Sequence, residues 1–473
     1  MGSDRILSSY WPYRHNHSRG SSRRWFTPYD VTDYLFLLAL LALPVDGTVL
    51  GFYQPFWTPI SPWLFMLYAL TNPVHLERAM RRYAFLMIVP VLLIYLSGIG
   101  WAVYGVHARA IIMSLTGVIA IPATVCALDI AFIAKRLSTT EAIRAVLATY
   151  WFAFAVGIAQ WFAVHLDIAS VQEFFGRVMY RSYLTIGSSW SKNGLRPQFL
   201  FAEPSYTGMH VFGILLPLMW LAYKRGSLYA KQLRNLIIVF VAGGLLMGVG
   251  TRIVLDSIVA LLIVIVMAIR WRDRKGRRFG LLFLAVIVAI TATAFAANSR
   301  LSAIVEKGMS GDDSFLGRIY QSLGPLCGIV KQPWTALTGY GAGNIDAAVH
   351  QGAQLARTIL ESAGAGKGAI VAAGWYRMMT PTTVWTMSAY TSFFTEFGFI
   401  GCALSVTAVG IVTSRYGRWT KPVLCWAALL AYLYIQFEGY AFAALPLFIW
   451  SLTRMDDLTI HVTESPQTVG VSL

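Results

Sequence analysis

Apolar residues dominate this chain in long runs, and the polar residues between those runs set out its architecture. Runs close to the roughly 20 residues needed to cross the hydrocarbon core of a bilayer occupy 33–53, 57–71, 83–104, 110–134, 145–166, 205–223, 235–250, 251–269, 279–297 and 390–413. A last run, 422–452, is too long for one ordinary crossing and is interrupted by Gln436, Glu438 and Gly439, which predicts two helices and a tight turn. The pattern therefore predicts an all-α polytopic membrane protein of about 12 transmembrane helices. Its segments are a cytoplasmic N-terminal stretch 1–32, helices 1–9 over 33–297 with an outer loop at about 167–203, a long outer loop 298–388, helices 10–12 over 389–453, and a cytoplasmic tail 454–473.

Composition agrees. The 473 residues are 57% hydrophobic and 13% charged with a mean hydropathy of +0.59, whereas soluble domains carry about 25% charged residues. The net charge of +16 would suit nucleic acid in a soluble protein, but here the basic residues fall in every second connection. Arg78, Arg81 and Arg82, then Lys135, Arg136 and Arg144, then Lys224 to Arg234, then Arg270 to Arg278, then Arg415, Arg418 and Lys421 follow that rhythm. Retention of positive charge on the cytoplasmic side explains it and places the N-terminus inside; nucleic acid is not an expected partner and the lipid bilayer is. The N-terminal 30 residues are polar and arginine-rich without a small-residue cleavage site, which predicts an uncleaved inner anchor. Four cysteines imply no disulfide framework. A bacterial inner membrane fits.

Two outer segments stand out by length, 38 residues from Leu166 to Glu203 and 91 from Asn298 to Ser388. Loops beyond about 12–15 residues are uncommon unless functional or disordered, so chemistry is expected where these two meet. Spacing predicts short helices at 171–184, 299–320 and 345–360, and a mobile run Ser362-Ala-Gly-Ala-Gly-Lys-Gly368. That run lacks the Gly-x-x-x-x-Gly-Lys-Ser/Thr spacing of a phosphate-binding loop.

Ionisable residues at predicted outer ends of spans are the candidate chemistry, because charge at a bilayer edge is costly unless something binds it. Arg196 and Glu203 flank Pro197-Gln-Phe-Leu-Phe-Ala202 just ahead of the sixth span. Pro204 suits the first turn of a helix, so Glu203 is read either as a cap or as a member of a site at an anion-attracting N-terminus. Arg252 opens the eighth span with Asp256 one turn on, on the same face. That spacing makes either a closed ion pair or an acid that orients Arg252 toward a phosphate, which the planar guanidinium fork suits. Arg318 precedes Leu337-Thr-Gly-Tyr340-Gly-Ala-Gly343-Asn344 and is read as a solvated or a ligand-binding cation. Tyr340 and its glycines could line a sugar or phosphate cleft, since glycine lets backbone amides come close. Glu396 and Glu438 are further acids near the outer face, each either hydrogen-bonded structure or site lining. Among the eight histidines only His350 lies in the long loop, where a solvated side chain competes with a base. No His/Cys/Asp cluster has metal-ligand spacing, so neither metal nor cofactor is expected.

Taken in order, Arg196-x-x-Phe-Leu-Phe-x-Glu203-Pro-Ser205, Gly250-Thr-Arg252, Arg318, Leu337-Thr-Gly-Tyr-Gly-Ala-Gly343-Asn344 and Phe394-Thr-Glu396-Phe-Gly-Phe-Ile-Gly401 resemble the O-antigen ligase and polysaccharide polymerase superfamily. The resemblance implies a glycosyltransferase of the periplasmic face with an undecaprenyl-diphosphate-linked oligosaccharide as donor, no metal or nucleotide, and a chain-length regulator as a further partner. By the same resemblance Arg196, Arg252 and Arg318 would hold the diphosphate, with the long loop over the sugar channel. An acceptor hydroxyl must lose a proton as it attacks, and Glu203 is the first candidate for that base, His350 the second. Ligases of this family show a His-Asn pair about nine residues before the position of Glu396; Met387-Ser388 stand there instead, which favours a polymerase. The competing functions are a ligase that passes glycan to a lipid A core or a protein, and a transporter of lipid-linked sugar.

Overall fold

A computed structural model describes residues 30–45, 60–179, 181–185, 195–224, 226–269, 273–297, 302–303, 306, 308–417, 419–439 and 442–454. Every regular element among them is helical. The chain opens with α1 (Asp33–Ala42), α2 (Ile60–Leu70) and α3 (Pro73–Arg82), then α4 (Ala84–Tyr104), α5 (Ala108–Asp129, widening into a π turn through Ala134) and α6 (Thr139–His165). After α7 (Ala169–Val178) comes a helix that starts as a 3₁₀ turn at Pro204–Tyr206, widens to π over Met209–Leu215 and ends as α8 (Leu216–Lys224). Pro217 offers no N–H to the carbonyl of Gly213, and the turn before it is the widened one. α9 (Tyr229–Leu246), α10 (Thr251–Ala268) and α11 (Arg274–Ala297) follow.

Among the described residues, seven helices are long and apolar enough to cross a membrane: Ala84–Tyr104, Ala108–Ala134, Thr139–His165, Pro204–Lys224, Thr251–Ala268, Arg274–Thr293 and Ala389–Tyr416. Four shorter apolar helices, Asp33–Val45, Ile60–Leu70, Lys421–Tyr434 and Ala444–Thr453, pack with them. The run 422–452 is thus two helices, α17 (Lys421–Tyr434) and α18 (Ala444–Thr453), with the described residues 435–439, 442 and 443 outside both.

Between α11 and α16 (Ala389–Tyr416) lie α12 (Asp313–Lys331), α13 (Thr335–Thr338), α14 (Ile345–Ser362) and α15 (Gly366–Met378), of which α12, α14 and α15 share a separate core. α12 and α14 cross closely because Gly324, Gly328 and Gly352 lack side chains; a Cβ on Gly328 would stand 2.1 Å from the Ala348 carbonyl oxygen. The helix expected at 299–320 is met in part: 302, 303 and 306 are helical, a 3₁₀ turn covers Gly308–Gly311 and α12 starts at Asp313, while 299–301, 304–305 and 307 lie outside the described residues. The Ser362–Gly368 run, expected to be mobile, turns into α15 at Gly366. Small residues are what lets it pack, since Gly368 lies directly against Leu316. Likewise the outer helix expected at 171–184 is shorter and earlier, ending at Val178.

The ends of α8, α10, α16, α17 and α18 nearest Lys224, Ile269, Arg415, Lys421 and Arg454 gather on one side, where Lys421 donates to the Ile269 carbonyl (2.6 Å). Two buried ion pairs close that side: Arg454 grips Asp129 through Nε and Nη2 (2.7 and 2.8 Å), and Lys135 reaches Asp33 (2.8 Å) and Asp30 (2.7 Å). Asp129→Ala is expected to take both carboxylate hydrogen bonds away from the buried Arg454 guanidinium, with a loss of about 3–5 kcal/mol in detergent-solubilised thermal or denaturant unfolding; a loss under about 1 kcal/mol would show that the pair is dispensable.

Candidate functional site

At the opposite side of the bundle the two long connections meet. The first is held by two glutamines. Gln160, near the C-terminal end of α6, donates to the Phe199 carbonyl (2.7 Å) and accepts from the Gln198 N–H (2.9 Å). Gln198 in turn accepts from the Tyr183 N–H (2.9 Å) and donates to the carbonyls of Arg181 (2.9 Å) and Phe201 (3.2 Å). Burying these backbone groups would be costly without such partners. Phe199 accepts a left-handed backbone (φ 57°) so that its ring fills the space beside Gly157 and packs on Phe154 and Phe240.

This scaffold delivers Glu203 to the foot of the 3₁₀ turn, but not as a cap. Its carboxylate accepts from Arg181 Nη1 through Oε2 (2.7 Å) and from Ser205 Oγ through Oε1 (2.6 Å), and Arg318 Nη2 lies 3.8 Å from Oε1. No capping hydrogen bond leaves that side chain. Arg181 was missed by sequence reasoning. It is only 1% exposed, and nothing in its local context, a polar stretch of a long loop, separates it from solvated arginines.

Arg252 donates to Asp256 through Nε (2.6 Å) and to Gln436 through Nη1, and Tyr432 donates to the same Asp256 oxygen (2.9 Å). Arg196 lies beside Gly250, its Nη1 3.4 Å from where a Cβ would sit, and covers the Tyr183 ring at 4.9 Å. Arg318 completes the group. Burial draws its guanidinium below the usual arginine range, Glu203 opposes that, and the like charges of Arg252 and Arg196 reinforce it. The three arginines expected to act together therefore share one electrostatic neighbourhood with Arg181. Among the described residues, the cluster has four arginines against Glu203 and Asp256, and Arg318 Nε makes no hydrogen bond.

A third acid borders the cluster. Glu438 lies in the turn between α17 and α18, outside both helices, where Oε1 accepts from the Thr386 N–H (3.0 Å) and Ser392 Oγ (2.8 Å). Burial pushes its carboxyl group up to about 7, against the Thr386 and Ser392 hydrogen bonds and the nearby Arg181. The returning end of the long loop reaches it through Met387, a second non-glycine residue in left-handed backbone (φ 60°).

The other expected site residues stand elsewhere. Glu396 accepts from Ser114 Oγ (2.6 Å) and the Gly343 N–H (2.8 Å), and Tyr340 is fully buried against Tyr104. The glycines around Tyr340 serve backbone packing: α16 breaks at Gly398 (φ 60°), and the carbonyls of Thr395 and Glu396 accept from Tyr340 (2.8 Å) and Gly341 (2.9 Å). The Tyr340 segment is thus a staple between α4, α5 and α16. His350 is exposed on α14, and its charge partner is Asp346, on which His107 also acts. The α12–α14 contact sets Gly324 against Gly352 and Gly328 against Ala348, so His350 is level with Leu326, about 12 Å along α12 from Arg318 at ~1.5 Å per residue. It does not join the cluster. Among the described residues, no group of three His, Cys, Asp or Glu side chains could hold a metal ion.

No protein-family model matches the chain, and no curated protein matches it.

Two measurements test this geometry. Arg181→Met should leave Glu203 buried beside a distant Arg318 and cost about 3–5 kcal/mol, whereas Arg318→Met, removing a longer, partly exposed contact, should cost about 1 kcal/mol or less in the same unfolding assay; equal losses would mean that Arg318 is only a structural cation. For Glu438 the folded state holds a proton that the unfolded chain releases near its ordinary value of 4.5. Its stabilising contribution is therefore complete below about 4.5 and lost as pH rises through about 7. Unfolding followed from pH 4 to 8 should show that decline in wild type, reduced in Glu438→Gln; identical slopes would refute the raised value.

Proposed function

We propose that this chain is a polysaccharide polymerase which joins undecaprenyl-diphosphate-linked oligosaccharide repeat units at the periplasmic face of a bacterial inner membrane, by glycosyl transfer without a metal. The observation that carries this reading is the convergence of Arg196, Arg252 and Arg318 from three distant stretches of chain, with a donor of Arg318 unengaged among the described residues. A sugar leaving as a diphosphate gathers negative charge on the departing oxygen, and fixed guanidinium groups in a poorly hydrated place lower that barrier. Arg196, Arg252 and Arg318 bind the diphosphate; Asp256 and Glu203 aim two of them.

In this reading the membrane domain comprises about 12 spans, namely α1, α2, α4–α6, α8–α11 and α16–α18, and the layer α12–α15 covers the sugar path. The placement of the cluster opposite the Lys421 and Arg454 ends supports a periplasmic site, since those basic ends belong inside. A chain-length regulator is the expected protein partner.

The test is gel analysis of surface and lipid-linked glycans from a deletion strain complemented with wild type, Arg318→Ala or Glu203→Gln at matched protein levels. Accumulation of single lipid-linked repeat units in the deletion strain, with chain extension lowered by roughly 10²–10³-fold in Arg318→Ala, is the expected result. Long chains retained on the carrier lipid would mean a ligase, and unchanged glycans in every strain would point to transport.

A further inference from the structure

We propose that Glu438 is the proton acceptor of the transfer, and that Glu203 is a positioning residue for the arginines. This deepens the polymerase reading and rests on it.

Three acids border the arginine cluster, and their surroundings differ. Glu203 has both oxygens engaged, Oε2 by Arg181 and Oε1 by Ser205 and Arg318. Asp256 has Oδ1 occupied by Arg252 and Tyr432, while Oδ2 is pressed against Gly208, where a Cβ would stand 1.8 Å away. Glu203 thus has no unengaged oxygen, while Asp256 Oδ2, like Glu438 Oε2, is buried and accepts no hydrogen bond from the described residues, but the Asp256 carboxylate is held in a direct ion pair with Arg252. Glu438 has its two hydrogen bonds on Oε1 alone, and Oε2 accepts none from the described residues. Those two bonds hold the carboxyl group in place, and its neighbour Gln436 already holds Arg252.

The groups that face Glu438 come from four elements. Arg181 acts on it from the first long connection, Tyr206 from the 3₁₀ turn, the Thr386 and Met387 backbone from the end of the second, and Ser392 from α16. Arg181 is the charged one among them, and it also contacts Glu203. The same arginine thereby ties the two acids together.

In the step itself, the acceptor hydroxyl oxygen forms a bond to the anomeric carbon as the bond from that carbon to the phosphate oxygen breaks. The electron pair of the broken bond stays with the lipid diphosphate, which the arginines hold, and the hydroxyl proton passes to Glu438 Oε2. A carboxylate held near 7 is better matched to that proton than one of ordinary acidity.

The experiment uses purified full-length protein in liposomes with lipid-linked repeat units extracted from the deletion strain, and measures chain extension from pH 5.5 to 8.5 beside binding of undecaprenyl diphosphate alone. Wild type should extend chains with a rate that rises through about pH 7. Glu438→Gln should extend them about 100-fold more slowly or worse with undecaprenyl diphosphate binding unchanged, while Glu438→Asp, which keeps a carboxylate, retains a measurable rate. Near-wild-type extension by Glu438→Gln with the same pH profile would overturn the assignment and leave the polymerase reading intact. Wild type that binds the lipid but extends no chains would instead sink the polymerase reading. Should Glu438→Gln fail to fold, Glu438→Asp decides: folded protein slowed about tenfold or more supports the assignment, and an unchanged rate and profile refute it.

Discussion

Holding guanidinium groups out of water at one end of the helix bundle is the constraint on which the rest of this structure depends. A buried arginine cannot shed its charge, so every one of its neighbours must be arranged to receive it. Arg181 has Glu203, Arg252 has Asp256 and Gln436, and the two glutamines of α6 and the 195–203 segment exist in this fold to keep those partners in register. Five separate stretches of chain must close on one another before the charges are satisfied.

The two sides of the bundle solve the same electrostatic problem differently. At the Lys135 and Arg454 side each cation meets carboxylates directly and the pairs are closed. At the other side the ratio is reversed, with more arginines than acids among the described residues and a long, partly exposed contact at Arg318. Stability alone would favour the first arrangement, because an excess of like charge in a poorly hydrated place works against folding. The second makes physical sense where an anion is to be received.

Much of the architecture was legible from apolar run lengths, including the division of 422–452 into two helices and the pairing of Arg252 with Asp256 one turn apart. Those features are local, and periodicity reports local geometry directly. Arg181 was not legible, because its partner lies 22 residues away and the glutamine ladder that joins them leaves no spacing signature. The glycines around Tyr340 misled for a related reason: glycine announces a close backbone approach but not what approaches, and here it is α4, α5 and α16 rather than a sugar. Glu203 could be read by position as a helix cap or as a member of a site, and the Arg181 guanidinium claims its carboxylate.

The break at Gly398 has a mechanical side. Because carbonyls of α16 just before the break are taken up by the Tyr340 segment, the N-terminal part of that helix is anchored to the stretch between α13 and α14, while the 399–416 portion runs on without that anchorage. A helix jointed in this way can adjust its tilt to bilayers of different thickness without dragging that stretch with it.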